Sequence, residues 1–107
     1  MYSIFGFYKF KKLTSLKLKK KSLYSLFIKN DIRGTIIISN EGLNGTISFK
    51  SNKFDNITTS LKKIFNIKKF NNENLTKYKF QAFHKGKIKI KKEVVPLGII
   101  IKKKISD

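Results

Sequence analysis

Two apolar stretches flank a polar, glycine-containing segment near the middle of the chain, and this arrangement constrains the fold most. The first stretch, "RGTIIIS" at residues 33–39, is rich in β-branched residues, as expected of a strand. The second, "GTISFK" at residues 45–50, has the pattern of another strand. Asn44-Gly45 is a strong turn dipeptide, so the sequence predicts an antiparallel hairpin that turns at these two residues.

The remaining patterns complete an order of strands and helices that is typical of one fold class. Alternating or aromatic residues predict strands at 2–10, 76–83 and 87–95, and apolar residues at helical spacing predict helices at 13–27 and 54–65. This order predicts an α+β, ferredoxin-like β-α-β-β-α-β antiparallel sheet with both helices on one face, plus an extra C-terminal strand. We expect one such domain at 1–100, followed by a basic tail or truncated linker at 101–107.

The chain carries a large positive charge. With 25 basic and six acidic residues its formal charge is +19, which attracts polyanions, and nucleic acid is the usual one. A genome rich in A and T would also favour Lys, Asn, Ile and Phe codons, so codon bias is an alternative source of this charge. Arg33 is the only arginine, and because guanidinium groups are nearly missing, base-specific recognition is not expected.

Missing residue types exclude several classes of function. Cysteine is absent, which rules out thiolate catalysis, a cysteine-based metal site and redox switching within this chain. His84 is the only histidine, so no metal site is expected, and we assign His84 a surface or hydrogen-bonding role. The N-terminus has the wrong residue order for a signal peptide, and the longest apolar run is far below the roughly 20 residues of a membrane span. We therefore expect a cytoplasmic chain that needs no membrane, metal or cofactor.

Acylphosphatases share the predicted element order, but they need a glycine-rich anion loop with a catalytic arginine after the first strand. The corresponding segment here is "KFKKLTS" at residues 9–15, which contains neither glycine nor arginine. Acylphosphatase activity is therefore not expected of this chain.

The hairpin segment carries a longer motif than a turn requires. Its residues Glu41, Gly42, Asn44, Gly45 and Thr46 resemble the Glu-Gly-Ile-Asn-Gly-Thr pattern in the N-terminal domain of the rhodanese-related tRNA uridine hydroxylases, with leucine here in place of isoleucine. Weaker matches occur in the right order at "FYKF", "YKFQAF" and "KIKIKKEVVPLG". Together the matches cover nearly the whole chain.

The resemblance implies a place in tRNA modification. It implies an enzyme that uses molecular oxygen to hydroxylate the wobble uridine of certain tRNAs, with a reactive cysteine in a following rhodanese domain. Because this chain has no cysteine, it resembles the N-terminal domain alone, as a fragment, a split gene or a free-standing relative. The expected partners are tRNA and a separate or following rhodanese domain, and no catalysis is expected from this chain alone. The alternative is a small basic RNA-binding or protein-interaction module unrelated to hydroxylation.

Two interpretations of the motif remain open at Glu41. In the structural one, its carboxylate accepts backbone N–H groups in the turn, and Gly42 and Gly45 supply backbone angles that side chains oppose. In the functional one, Glu41 and Asn44 project toward a bound nucleotide or toward the catalytic domain. No paired carboxylate or histidine is near in sequence, so general-base chemistry by Glu41 alone is not expected.

A basic strand supplies the second set of candidate residues. Lys87, Lys89 and Lys91 alternate with Ile88 and Ile90, so one face of the predicted fifth strand is positively charged. This face is either a track for an RNA backbone or a merely solvated surface.

Three aromatic residues near the N-terminus, Tyr2, Tyr8 and Phe10, have the chemistry to stack on bases, as aromatic residues do in ferredoxin-like RNA-recognition domains. The RNP1 consensus of those domains is absent. We therefore expect these three side chains to pack in the core.

Overall fold

The computed structural model describes residues 1–92 and contains the predicted strands and helices in the predicted order. The elements are β1 (Tyr2–Phe10), α1 (Leu16–Asn30), β2 (Arg33–Ser39), β3 (Gly42–Lys50), α2 (Phe54–Phe65), β4 (Asn72–Tyr78) and β5 (Gly86–Ile90). Neither helix among these residues is long and apolar enough to cross a membrane. The predicted tail or linker at 101–107, the domain limit at 100 and residues 93–95 of the predicted fifth strand lie outside the described residues. β5 ends at Ile90, so the prediction that this strand continues through residues 91 and 92 is wrong.

The strands form one sheet in the order β4-β1-β3-β2-β5. The first four of these strands pair with one another in antiparallel orientation, which confirms the predicted α+β, ferredoxin-like fold class. β5 is the extra strand. It lies beside β2 and runs parallel to it, so the complete sheet is mixed. Residues 79–85 carry the chain from the β4 edge of the sheet to the β5 edge.

The core lies between one face of the sheet and the two helices. The register places the buried residues of the three central strands on the same face, because side chains alternate along each strand. The strands contribute Phe5, Phe7, Ile36, Ile38, Leu43, Ile47 and Phe49, and the helices contribute Leu23, Leu26, Phe27, Ile57, Leu61 and Phe65. Burial of each such side chain stabilises the fold by roughly 1.5–3 kcal/mol.

The boundaries of α1 and β4 also differ from the prediction. α1 begins later than predicted, because Leu13 is buried in the loop ahead of the helix and Ser15 has a left-handed backbone with φ 52°. β4 lies at Asn72–Tyr78, whereas the sequence predicted a strand at 76–83. All side chains of β4 are exposed, so it lacks the apolar alternation by which a strand is recognised in a sequence.

The turn between β2 and β3 also differs from the prediction. It consists of Asn40 and Glu41, and β3 begins directly afterwards at Gly42. Asn44 and Gly45 are therefore extended residues within β3, and the prediction of a turn at this dipeptide is wrong. The reason is that β1 and β2 both pair with β3 from its first residue onward, which keeps the whole segment in the sheet.

Candidate nucleic-acid interface

The sheet face opposite the helices, called the open face, collects side chains that the core does not use. It consists of Tyr2, Ile4, Gly6, Tyr8 and Phe10 in β1, Arg33, Thr35 and Ile37 in β2, Asn44, Thr46, Ser48 and Lys50 in β3, Asn72, Asn74, Thr76 and Tyr78 in β4, and Lys87 and Lys89 in β5. Residues of neighbouring strands form rows across this face. One row runs from Tyr8 through Asn44 and Ile37 to Lys89.

The predicted basic strand forms one edge of the sheet within residues 1–92. Lys87 and Lys89 lie exposed in β5, two residues apart, which separates them by roughly 7 Å along the strand. Lys91 is also exposed and continues the line, because its backbone N–H donates to the Ile38 carbonyl at 2.9 Å. The three ammonium groups can thus follow a phosphate backbone along this edge, and contact with RNA stays a prediction.

The aromatic residues of β1 do not lie where the sequence predicted. Tyr8 and Phe10 are on the open face, with ring centroids 5.5 Å apart, and Phe10 is 46% exposed. Tyr2 is half-buried on the same face, opposite Tyr78 of β4, which is 51% exposed. The expectation that Tyr2, Tyr8 and Phe10 pack in the core is wrong, because Phe5 and Phe7 fill the core from the other side of the strand.

The motif residues at the turn are held by main-chain contacts. Glu41 is exposed, its N–H donates to Ser39 Oγ at 3.0 Å, and its carbonyl accepts the Lys11 N–H at 3.0 Å. Gly42 has φ 151°, and a Cβ added there would lie 2.1 Å from the Lys9 carbonyl oxygen. Both of these hydrogen bonds are made by the backbone of Glu41, and the close approach of β1 requires a glycine at 42.

The candidate residues separate into three groups in the structure. Asn44 is half-buried and shares the open face with Lys87 and Lys89. Glu41 lies apart from them, in the turn at the end of the sheet. Gly45 points to the opposite face and is buried in the core. His84 is exposed in the segment before β5, and residues 1–92 bring no three His, Cys, Asp or Glu side chains together for a metal ion.

The segment between β4 and β5 limits the open face at its other end. Gln81 Nε2 donates to the carbonyls of Asp31 at 2.8 Å and Ser48 at 3.3 Å, and Arg33 Nη1 donates to the Phe83 carbonyl at 3.4 Å. Ser48 is fully buried although the register places it on the open face. The part of the face that stays accessible is therefore centred on two rows across the strands. The Thr46 row joins Gly6 to Lys87, and the Asn44 row joins Tyr8 to Lys89.

Sequence reasoning missed two residues of the open face whose side chains are suited to contact with RNA. Arg33 brings the single guanidinium group to the open face, and Tyr78 stands beside Tyr2 across the strand pair. The register between strands would have identified both residues. Alternation within one strand divides its residues into two faces, but only the pairing with a neighbouring strand shows which face is the core. In β1 the odd-numbered and the even-numbered positions both include large apolar residues, so alternation alone could not distinguish the core face from the open face.

Comparison with known proteins relates the chain to one family. The profile of the UPF0176 acylphosphatase like domain matches residues 2–94. The "tRNA uridine(34) hydroxylase" of Pelagibacter ubique (strain HTCC1062) is 60% identical over 104 residues, which cover 97% of this chain and 35% of that protein. The protein of the same name from Prochlorococcus marinus subsp. pastoris is 36% identical over 97 residues, covering 91% of this chain and 31% of the relative. The chain thus spans about a third of the length of these relatives.

Two solved structures with a similar fold have dissimilar sequences. Acylphosphatase from Bacillus subtilis superimposes with a TM-score of 0.57 at 10% identity, over 82% of this chain and 98% of that one. Full-length HypF in its phosphate- and nucleotide-bound form gives a TM-score of 0.58 at 11% identity, over 90% of this chain and 13% of that one. At these identities the likeness concerns the fold alone. The segment after β1 still lacks the glycine and arginine of an acylphosphatase anion loop.

Proposed function

The chain belongs to the UPF0176 acylphosphatase like domain family, and from this membership we propose that it is the tRNA-binding, N-terminal part of a tRNA uridine hydroxylase. The relatives that carry this name are about three times as long, and the proposal assigns the chemical step to the part of such a protein that this chain does not contain. The resemblance described above implies a reactive cysteine for that step, and this chain has none. Its own task is to hold tRNA.

The observation that carries the proposal is the exposed line of lysines at the β5 edge. Lys87, Lys89 and Lys91, called the strand triple, present three cations without an acidic residue among them. A lysine ammonium is a compact point charge, so this line attracts phosphates and positions an RNA backbone without distinguishing bases. Tight binding with little sequence preference is the expected behaviour of such a surface.

The experiment compares the strand triple with an equal charge elsewhere. Affinity for unfractionated tRNA is measured at several salt concentrations between about 50 and 200 mM, where phosphate contacts dominate the salt dependence. Each phosphate contact adds about 0.7–0.9 units to the slope of log affinity against log salt, so changing the strand triple to Gln should lower the slope by roughly 2–3 units. Preference among tRNA sequences should change little.

The matched control removes the same charge from the other side of the molecule. Lys17, Lys21 and Lys29, called the helix triple, are exposed on α1. Within residues 1–92 none of the three lies over an aromatic ring, whereas Lys20 lies 5.8 Å from the Tyr24 ring centroid. Changing the helix triple to Gln should lower the slope by far less than the strand triple does. Equal losses in both variants would refute the proposed track and leave only a diffuse background of charge.

A further inference from the structure

The C-terminal end of β1 presents aromatic rings on an otherwise polar and basic surface. Phe10 is 46% exposed, and its ring lies against that of Tyr8 at 5.5 Å between centroids and 63° between planes. Large apolar side chains on the surface mark binding sites when they lie together among polar residues. We propose that Tyr8 and Phe10 form a stacking platform for unpaired RNA bases, so that the open face binds single-stranded RNA rather than a duplex. This inference rests on the proposed RNA-binding function and names the class of RNA that the face takes.

The platform is fixed by its backbone before any ligand binds. The Phe10 N–H donates to Asn71 Oδ1 at 2.7 Å, and the Asn71 N–H donates to the Tyr8 carbonyl at 2.8 Å. These two bonds join the end of β1 to the segment that precedes β4. Because the main chain is held, only the side-chain torsions of the two rings remain to be ordered on binding, which favours affinity for a flat partner.

The charges around the platform are those that a nucleotide requires. Lys12 and Lys69 are exposed in the segments that flank it, and Asn72, opposite Tyr8 on β4, is exposed and can donate to and accept from a base edge. Of the two carboxylates near this end of the sheet within residues 1–92, Glu73 lies on the helix side of β4 and Glu41 lies in the turn beside Gly42, which pairs with Phe10. A carboxylate at Glu41 disfavours a phosphate nearby and can accept a hydrogen bond from a base amino group, so it favours bases over β1.

The separation between the platform and the lysines indicates the course of the RNA. The Asn44 row joins Tyr8 to Lys89 across three strand spacings, which is roughly 14 Å. Bases stacked over β1 would thus leave neighbouring phosphates directed toward β5. In a duplex the base faces are already stacked on one another, so only an unpaired segment can use both parts of the open face.

The test uses a single-stranded RNA of about eight nucleotides that contains 2-aminopurine, and a hairpin duplex with the same number of phosphates. The wild-type chain should bind the single strand at least about tenfold more tightly than the duplex and quench the 2-aminopurine fluorescence. Tyr8→Leu combined with Phe10→Leu should lose that preference and the quenching while the salt slope is retained. The control is Tyr24→Leu on α1, which removes a 41% exposed aromatic ring from the helix side and should change nothing.

A melting curve shows whether each variant is folded. If the double variant fails to fold, Phe10→Leu alone tests the platform at a position that is nearly half-exposed. Tyr8→Phe keeps the ring and should keep the preference. Unchanged single-strand affinity in the double leucine variant and in Phe10→Leu would overturn the platform. The two proposals can fail separately. If the leucine variants lose the quenching and the strand-triple variant keeps the salt slope, stacking is supported and the lysine track is refuted.

Discussion

Replacing Gly45 with alanine tests how closely β3 approaches its neighbours on the helix side of the sheet. An added Cβ would lie 2.8 Å from Phe7 Cζ, 2.9 Å from Ile36 Cγ1 and 3.0 Å from the Thr35 carbonyl oxygen. These distances are well below an ordinary van der Waals contact of 3.5–4.0 Å between carbon atoms. The neighbours come from both flanking strands, so a shift away from one brings the methyl group toward the other.

The expected loss follows from overpacking of a filled core. One extra methyl group that forces side chains off their rotamers costs about 1–3 kcal/mol, and valine, with two further carbons, should cost more. For a domain of this size about 1 kcal/mol corresponds to about 4–8 °C in Tm, so Gly45→Ala should lower Tm by at least about 4 °C. Glu41→Ala is the comparison, because Glu41 is exposed and bonded through its backbone, and it should stay within about 0.5 kcal/mol.

The assay is thermal or urea unfolding followed by circular dichroism. A double-mutant cycle with Phe7→Leu identifies the cause, since leucine lacks the ring carbon that the new methyl group meets. The Gly45→Ala loss should be smaller in that background, with a coupling energy of about 1 kcal/mol. Equal Tm values for Gly45→Ala and the wild type would refute the packing argument, and a full loss in the Phe7→Leu background would show that the clash lies elsewhere.

Two further predictions concern a buried hydroxyl and the chemical step. Ser48 Oγ is buried and makes no hydrogen bond within the described residues, so Ser48→Ala should leave Tm unchanged or raise it, and a drop of several degrees in a melting curve would contradict this. Incubation of the chain with tRNA and oxygen should leave uridine unmodified, because no thiol is present. Nucleoside mass spectrometry checks this, and newly formed 5-hydroxyuridine would refute it.

The spacing of apolar residues correctly predicted those helices and strands that bury one face in the core. α2 spans the predicted range because Ile57, Leu61 and Phe65 repeat at helical spacing, and all three lie in the core. β4 was misplaced for the opposite reason. It is an edge strand whose side chains are all exposed, so no burial selects its residues, while the alternation that suggested a strand further along belongs partly to the segment before β5.

The candidate site was harder to predict because it depends on register. Asn44-Gly45 has the composition of a turn, and only the pairing of β3 with both β1 and β2 shows that the dipeptide is extended. That pairing puts Asn44 on the open face and Gly45 in the core. The exposed line of lysines in β5 was predictable from alternation alone, whereas its distance from Tyr8 follows from the order of four strands, which no local pattern contains.

The distribution of acidic residues gives a physical reason to separate the open face from the general positive charge. Codon bias toward lysine would raise the charge of every surface alike. Within residues 1–92 the carboxylates lie at Asp31 and Glu41 next to the ends of β2, at Asp55 in α2, and at Glu73, which the register assigns to the helix side of β4. The middle of the open face carries none, so its lysines are not neutralised by neighbours. A phosphate there meets fewer nearby carboxylates than one beside Asp55 on α2. Because α1 itself contains no Asp or Glu, the strand triple and the helix triple compare equal charges on elements without acidic residues, and a larger loss in the strand triple reports the arrangement of its lysines.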